Sequence, residues 1–336
     1  MLDHSTIERP GGPCGVARTA VLGCVIDRRV YGRVRYHLLP EGESLVRVPD
    51  NVRKCVVFIG VELPAGGFRR LGTGFLLSVN LGDTGQFFPY LVTAAHILAK
   101  AAEFGDSVFI SFNSIDGPAK WYSVKMSEWT LPSQDREACD VAVVPMPVPD
   151  GLDWLAFDSS SRVTPDMIRQ FGIGVGDEVF VTGLFFNHAG RYRDIPIVRV
   201  GNIAAMPEEP VVTTIGNIEA YLVELRSTGG LSGSPVFVQI GPMRPDPATG
   251  RNRPASGFAL LGVLHGHWDL EVPRATPKPD SRQDAIAERF NMGIGIVTPI
   301  DKVIELLNLP EHVDTRRMLE AEARRRGLPT PDLGGK

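Results

Sequence analysis

A series of short apolar segments begins after Lys54 and reads Cys55-Val-Val-Phe-Ile-Gly-Val61, Gly72-Thr-Gly-Phe-Leu-Leu-Ser-Val79, Tyr90-Leu-Val-Thr93 and Ser107-Val-Phe-Ile-Ser-Phe112. These segments are rich in β-branched and aromatic residues, and turn-forming residues separate them. Closely spaced short strands with turns between them are typical of an all-β sandwich or barrel. The segment Asp140-Val-Ala-Val-Val-Pro-Met146 completes this first set.

A second set of six strand-like segments lies in the other half of the chain. It comprises residues 178–182, 195–200, 220–225, 235–240, 258–264 and 293–297. Two sets of similar length predict an all-β fold of two six-stranded antiparallel β-barrels. The stretch Thr298-Pro-Ile-Asp301 then predicts the start of a C-terminal helix, with Thr298 as the capping residue.

The strand sets suggest how the chain divides. Residues 1–50 are poorly patterned and form an N-terminal extension of unknown role. Residues 51–310 form the main domain, with the first barrel at about 51–150 and the second at about 170–300. Residues 311–336 form a charged C-terminal helix and tail. The extension and the C-terminal helix are the candidate surfaces for a protein partner.

Composition and charge exclude several classes of protein. The 336-residue chain contains 35 Lys and Arg against 39 Asp and Glu, and its net charge of −4 argues against a general nucleic-acid binder. It contains no run of about 18 apolar residues, so we expect no membrane span. Its start carries no apolar signal region, and its four cysteines form no CxxC pair. We therefore expect a reduced, cytoplasmic protein without a metal site or cofactor.

Three short motifs carry the candidate chemistry. They are Leu91-Val-Thr-Ala-Ala-His96, Ala138-Cys-Asp140-Val-Ala-Val-Val144 and Ser227-Thr-Gly-Gly-Leu-Ser232-Gly-Ser-Pro-Val-Phe237. A serine hydroxyl is a poor nucleophile until an imidazole accepts its proton. That imidazole needs a buried carboxylate to set its tautomer. The adjacent glycines allow a tight turn in which the amides of Gly230 and Ser232 converge as an oxyanion hole.

The motifs and their order resemble those of trypsin-like serine peptidases of the chymotrypsin-fold superfamily, in particular its bacterial-type single-chain members. Thr93-Ala-Ala-His96 is similar to the family's TAAH motif, Asp140-Val-Ala to its D-(I/V)-A motif, and Gly230-Leu-Ser-Gly-Ser-Pro235 to its G-x-S-G-x-P motif. The resemblance covers about residues 52–309. It implies barrels of the chymotrypsin/trypsin type that form one catalytic unit.

The resemblance also implies roles for individual residues. His96 is then the general base, Asp140 orients it, and Ser232 attacks a peptide carbonyl whose oxyanion is bound by the amides of Gly230 and Ser232. Hydrolysis proceeds through an acyl-enzyme intermediate. A peptide or protein substrate binds as an extended strand along a cleft, whose lining residues are expected to be Leu264, His265, Gly266 and His267.

Specificity is predicted from similarity to glutamyl endopeptidases, which place a hydroxyl residue and a histidine in the primary pocket. Ser227 and His265 lie near the corresponding places, although His265 is one position away from that histidine. Arg226 adds positive charge at the pocket floor. The hypothesis is a preference for acidic or small residues on the acyl side of the cleaved bond.

Other interpretations stay open at this stage. A trypsin fold that only binds peptides or acts as a scaffold, and a serine esterase, are both alternatives to a peptidase. The pair His265-x-His267 is also compatible with a metal site, but the sequence suggests no third ligand, and we favour a role in the cleft wall.

Overall fold

The computed structural model describes residues 26–27, 48–133, 139–213, 216–225, 229–241, 243–246, 249–255, 257–272 and 288–326. Most of the predicted N-terminal extension therefore lies outside the described residues, as does the tail after residue 326. The described part of the chain forms two β-structures in succession, followed by two helices. No helix within it is both long enough and apolar enough to cross a membrane.

The first half of the chain forms one mainly antiparallel sheet with two short helices. Its elements are β1 (Ile26–Asp27), α1 (Asp50–Lys54), β2 (Val56–Glu62), β3 (Phe68–Asn80), β4 (Gln86–Thr93), α2 (Ala95–Ala102), β5 (Ser107–Phe112), β6 (Lys120–Lys125), β7 (Ala142–Pro145) and β8 (Phe157–Asp158). The strands pair in the order β1-β4-β3-β2-β5-β6, while β7 pairs with β4 and β8 pairs with β3.

This first sheet differs from the predicted six-stranded barrel, because it contains eight strands and its pairing path is not closed among the described residues. The strand β6 was missed because its sequence, Lys-Trp-Tyr-Ser-Val-Lys, contains one fully buried residue, Val124, and no continuous apolar run. The two-residue strands β1 and β8 are too short to produce a pattern. The antiparallel pairing of β2 to β5 agrees with the prediction.

The second half forms the closed six-stranded barrel that the sequence predicts. Its elements are α3 (Pro165–Phe171), β9 (Glu178–Gly183), β10 (Ile197–Ala205), β11 (Val211–Thr213), β12 (Gly216–Ile218), β13 (Tyr221–Glu224), β14 (Pro235–Ile240), β15 (Met243–Pro245), β16 (Asn252–Pro254), β17 (Gly257–Val272) and β18 (Glu288–Pro299). The barrel order is β10-β13-β18-β17-β14-β9, and β11-β12 and β15-β16 are separate two-stranded sheets.

A shared aromatic core joins the two halves. Phe157 of the first sheet packs against Phe237 of the barrel with ring centroids 5.0 Å apart, and Phe237 stacks on Phe180 at 5.1 Å. All three side chains are at most 2% exposed, and burial of one such side chain contributes roughly 1.5–3 kcal/mol. The halves therefore form one packed unit, which fixes the relative positions of residues that each half supplies.

Two helices end the described chain, α4 (Ile300–Leu307) and α5 (Pro310–Arg325). The predicted cap is wrong, because Thr298 belongs to β18 and Pro299 is the N-cap of α4. Helix α5 packs against β4, where Arg316 donates a hydrogen bond to the Tyr90 hydroxyl at 3.0 Å and His312 stacks edge-on against the Tyr90 ring. One face of the charged helix is thus part of the fold.

Candidate active site

His96 lies where the buried strand β4 enters helix α2. The small residues Ala94 and Ala95 let the chain turn, and Ala94 is the helix N-cap without a side-chain capping bond. Asp140 supplies the missing acceptor, because the backbone N–H of His96 donates to its Oδ1 at 2.8 Å. The same carboxylate accepts from the His96 ring, with Nδ1 2.6 Å from Oδ2. His96 is therefore held by backbone and side chain at once.

Asp140 reaches His96 because of strand register. It lies two residues before β7, whose first residue, Ala142, pairs with Thr93 in the antiparallel β4-β7 ladder. Continuing that ladder past Thr93 brings Asp140 beside the start of α2. The carboxylate is 2% exposed, so its charge is largely shielded from water.

A second histidine contacts the same carboxylate. His265 of β17 makes a hydrogen bond through its Nδ1 to Asp140 Oδ2, the oxygen that also faces His96. The two imidazoles meet edge to face, with ring centroids 5.4 Å apart. The β17-β18 register shifts between Leu264 and Gly266, which leaves His265 at the irregularity. His265 therefore contacts Asp140, and its role in the primary pocket stays a prediction.

The ionisation of Asp140 follows from these contacts. Burial alone would raise its pKa, but the hydrogen bonds from His265 and His96 outweigh burial and hold the pKa well below its usual value. Asp140 is thus charged at neutral pH, and because a carboxylate only accepts, each imidazole donates from Nδ1 to Oδ2. The Nε2 atom of His96 is then left as a proton acceptor.

Ser232 lies in a tight turn that only glycine allows. Gly230 and Gly233 flank it with φ of 102° and 81°, values that L side chains rarely adopt. A Cβ on Gly233 would lie 2.1 Å from the Thr73 carbonyl oxygen. The carbonyl of Ser232 accepts from the Thr73 amide at 3.0 Å, and the amide of Gly233 donates to Leu264 at 2.8 Å. The turn is thereby fixed to both halves.

The two predicted oxyanion amides are available. Within the part of the chain that the structure describes, neither the N–H of Gly230 nor that of Ser232 donates a hydrogen bond to another protein group. Amides that are free of internal partners can donate to a developing oxyanion. Ser232 itself is half-buried.

The Ser232 turn lies near Ile97, the residue after His96. A hypothetical Cβ atom on Gly72 would lie 2.4 Å from Ile97 Cδ1 and 3.2 Å from the Ser232 carbonyl oxygen. The Ile97 side chain and the Ser232 carbonyl therefore border the same small space beside Gly72. Among the described residues, no hydrogen bond joins the Ser232 hydroxyl to His96. Such bonds are often long in unliganded enzymes and shorten when substrate binds.

Thr73 holds the Ser232 turn from the first half, a contact that the sequence did not predict. Its hydroxyl donates to the Gly230 carbonyl at 2.7 Å and accepts from the Leu184 amide at 2.9 Å. The side chain is fully buried. Thr73 is therefore a positioning residue, because it fixes the Gly230–Leu231 peptide, which lies between the two predicted oxyanion amides.

We expect Thr73→Val to lower kcat about 100-fold with little change in KM, because a shift of about 1 Å in catalytic geometry costs that much. Loss of the hydroxyl also leaves the buried Leu184 amide unpaired, at a cost of about 1–3 kcal/mol. Thr73→Ser keeps the hydroxyl and should restore most of kcat. Steady-state kinetics and denaturant unfolding measure both effects, and an unchanged kcat in Thr73→Val would contradict this role.

The remaining predicted substrate residues have different positions. The side chain of Leu264 is buried in the barrel core, and its amide and carbonyl bond Ser234 and Gly233, so it does not line a cleft. Gly266 is half-buried with open space beside it. Arg226 and Ser227 lie outside the described residues, as does the side chain of His267.

One cavity, of about 300 Å³, is lined by residues remote in sequence from these motifs, including Arg53, Asn113 and Asp194. Charged groups at its wall are paired, since Asp153 accepts from Lys54 at 2.7 Å and from Arg193 at 2.6 Å. None of the candidate site residues lines it. This cavity is therefore separate from the candidate active site around His96.

Comparison with known proteins finds a matching family and similar solved structures. The sequence profile of the trypsin-like peptidase domain matches residues 72–242. Among solved structures, the apo MamO protease domain from Magnetospirillum magneticum aligns with a TM-score of 0.45 and 14% identity, covering 76% of this chain and 96% of that chain. No curated protein sequence matches this chain significantly.

Proposed function

The chain belongs to the trypsin-like peptidase domain family, and we propose on that basis that it is a serine endopeptidase using Ser232, His96 and Asp140. The observation that carries the proposal is the buried Asp140 carboxylate, which accepts hydrogen bonds from both the backbone and the ring of His96. This arrangement fixes the tautomer in which His96 Nε2 can take a proton.

The proposed reaction proceeds in two stages. Ser232 Oγ attacks the peptide carbonyl while its proton passes to His96 Nε2, and the amides of Gly230 and Ser232 stabilise the oxyanion. The imidazolium, stabilised by Asp140, then protonates the leaving amine, and an acyl-enzyme remains. Water, deprotonated by His96, hydrolyses that ester and regenerates Ser232.

We propose that the substrate adds as an extended strand to β17 beyond Leu264. There Gly266 and His267 pair with Ile296 and Gly295 of β18 on one side. On the other side, β14 pairs with β17 only as far as Val263 among the described strands. An unpaired strand edge next to a nucleophile supports binding by β-augmentation.

A preference for acidic or small residues, with Arg226 and Ser227 in the pocket, stays part of the proposal. Cleavage of a peptide library tests this preference.

A fluorophosphonate probe tests the proposed nucleophile. We expect the folded protein to be labelled at one residue, which peptide mass spectrometry should locate at Ser232, and heat-unfolded protein should not react. Turnover of a peptide substrate would distinguish a peptidase from an esterase, since both are labelled. A folded protein that neither reacts with the probe nor cleaves peptides would support a peptide-binding module instead.

We also propose that the protein works in the cytoplasm. In the described part of the chain, Cys55 and Cys139 are free thiols. Burial raises the pKa of each to about 12, so neither is a reactive thiolate. Free, unreactive thiols support a reducing compartment.

A further inference from the structure

Three metal-binding side chains converge at the candidate site. His96, Asp140 and His265 each offer one ligand atom, and these atoms all lie within 4.8 Å of one another. The sequence suggested no third ligand beside His265 and His267. The structure supplies two further ligands beside His265. Strand β17 places His265 against Asp140, which precedes β7, and Asp140 also contacts His96.

The donor set suits a transition metal. Two imidazole nitrogens and one carboxylate oxygen are common ligands of Zn²⁺, which binds nitrogen at about 2.0–2.1 Å and oxygen at about 2.0–2.2 Å. Zn²⁺ accepts three protein ligands with a fourth position left to water. The side chains of His96 and His265 are 21% and 12% exposed, so solvent reaches the edge of the cluster.

Hydrogen bonds from neighbouring groups fix the orientation of the Asp140 carboxylate. Oδ1 is taken by the backbone N–H of His96, which fixes the orientation of the group. Oδ2 faces both Nδ1 atoms. The cluster thus combines one buried carboxylate with two imidazole rings, a donor set that metal cations bind.

We propose that His96, Asp140 and His265 bind Zn²⁺, and that the bound ion inhibits the peptidase. The inhibition rests on the proposed function, whereas the binding does not. On binding, each imidazole forms a metal–Nδ1 bond, and its Nδ1 proton moves through solvent to its Nε2, so the number of protons is unchanged. Two N–H···O hydrogen bonds are replaced by metal–ligand bonds. His96 Nε2 then carries a proton and no longer accepts one from Ser232.

Metal binding is tested on the metal-free full-length chain. Calorimetric titration with Zn²⁺, and the visible absorption of Co²⁺ as a spectroscopic probe, should show one site. His265→Gln keeps a donor for Asp140 but removes the imidazole ligand, and it should weaken binding by more than about 100-fold, since loss of even an outer-shell partner costs 10–100-fold. His265→Asn serves if the Gln variant does not fold, as judged by circular dichroism.

Matched histidine variants locate the site. His188 is exposed in a short 3-10 helix between β9 and β10, and His188→Gln should bind Zn²⁺ as the unaltered chain does. Equal binding by folded His265→Gln would overturn the proposal, and so would loss of binding in His267→Gln while His265→Gln still binds.

Activity is measured separately. Peptide cleavage by the unaltered chain should fall at least tenfold when Zn²⁺ saturates the site and should recover with EDTA. His265→Gln should be less active than the unaltered chain without metal, and Zn²⁺ should not lower its activity further. Unchanged cleavage by a Zn²⁺-saturated chain would overturn the inhibition. A chain that binds Zn²⁺ but cleaves no peptide under any condition refutes the proposed function and leaves the metal site standing.

Discussion

Replacing Ser232 with Ala should lower kcat by about 10⁶-fold and leave KM nearly unchanged. The hydroxyl is the only group at this turn that the proposed mechanism uses to form a covalent bond. The turn itself is held by backbone contacts to Thr73 and Leu264, so a methyl group at position 232 leaves its geometry intact. Peptide binding along β17 should therefore persist while turnover is lost.

The neighbouring Ser234 provides a matched control. Its hydroxyl is buried and has no hydrogen-bond partner among the described residues, and Ser234→Ala removes the same atom two residues away. We expect this variant to keep kcat and to be labelled by the fluorophosphonate probe. Both variants are compared by steady-state kinetics on one peptide substrate. Substantial peptide cleavage by Ser232→Ala would show that another group is the nucleophile.

The positions of His96 and Asp140 could be predicted because each depends on short-range sequence. A buried strand followed by small residues presents the histidine, and an acid two residues before another strand meets it through ladder register. The turn around Ser232 likewise depends on glycines that lie beside it. The six strands of the closed barrel were predicted for the same reason, since each contains a short stretch rich in apolar residues.

Contacts between distant segments could not be predicted. Thr73 and its partner Gly230 are 157 residues apart, and no local pattern connects them. His265 meets Asp140 because the β17-β18 register shifts at this point, and a one-residue change in register redirects a side chain to the other face. The contact between His265 and Asp140 was not predicted for that reason.

Tertiary packing also overrode a local signal at the end of the barrel. Thr298 followed by Pro is a typical helix start, yet Thr298 pairs with Val263 and Pro299 with Gly262. Pairing of β18 with β17 extends the strand through both residues, and α4 begins only at Ile300. The interior of the helix was predicted from its apolar spacing, whereas its first residue depended on a strand partner.

Replacing Asp140 with Asn should lower kcat by about 10⁴-fold, the second of the two largest effects we expect. Asn keeps the size of the side chain, and its one oxygen can still accept from the backbone N–H of His96. Its NH₂ group then occupies the place of Oδ2 and faces two Nδ1 atoms that formerly donated there. Both imidazoles must accept at Nδ1, and their protons move to Nε2.

This tautomer prevents His96 from taking the Ser232 proton, so kcat should fall while KM and folding change little. The exposed Asp166, whose side chain is 88% accessible, provides the control, and Asp166→Asn should leave kcat unchanged.

Nitrogen NMR of labelled histidines checks the mechanism directly. In Asp140→Asn, the Nε2 atoms of His96 and His265 should both give the signals of protonated nitrogens. If kcat stayed within tenfold, or if the tautomers did not change, Asp140 would not orient His96 in the way proposed. Because His265 shares the carboxylate, a change at both histidines from one substitution would also demonstrate that the two imidazoles depend on the same oxygen.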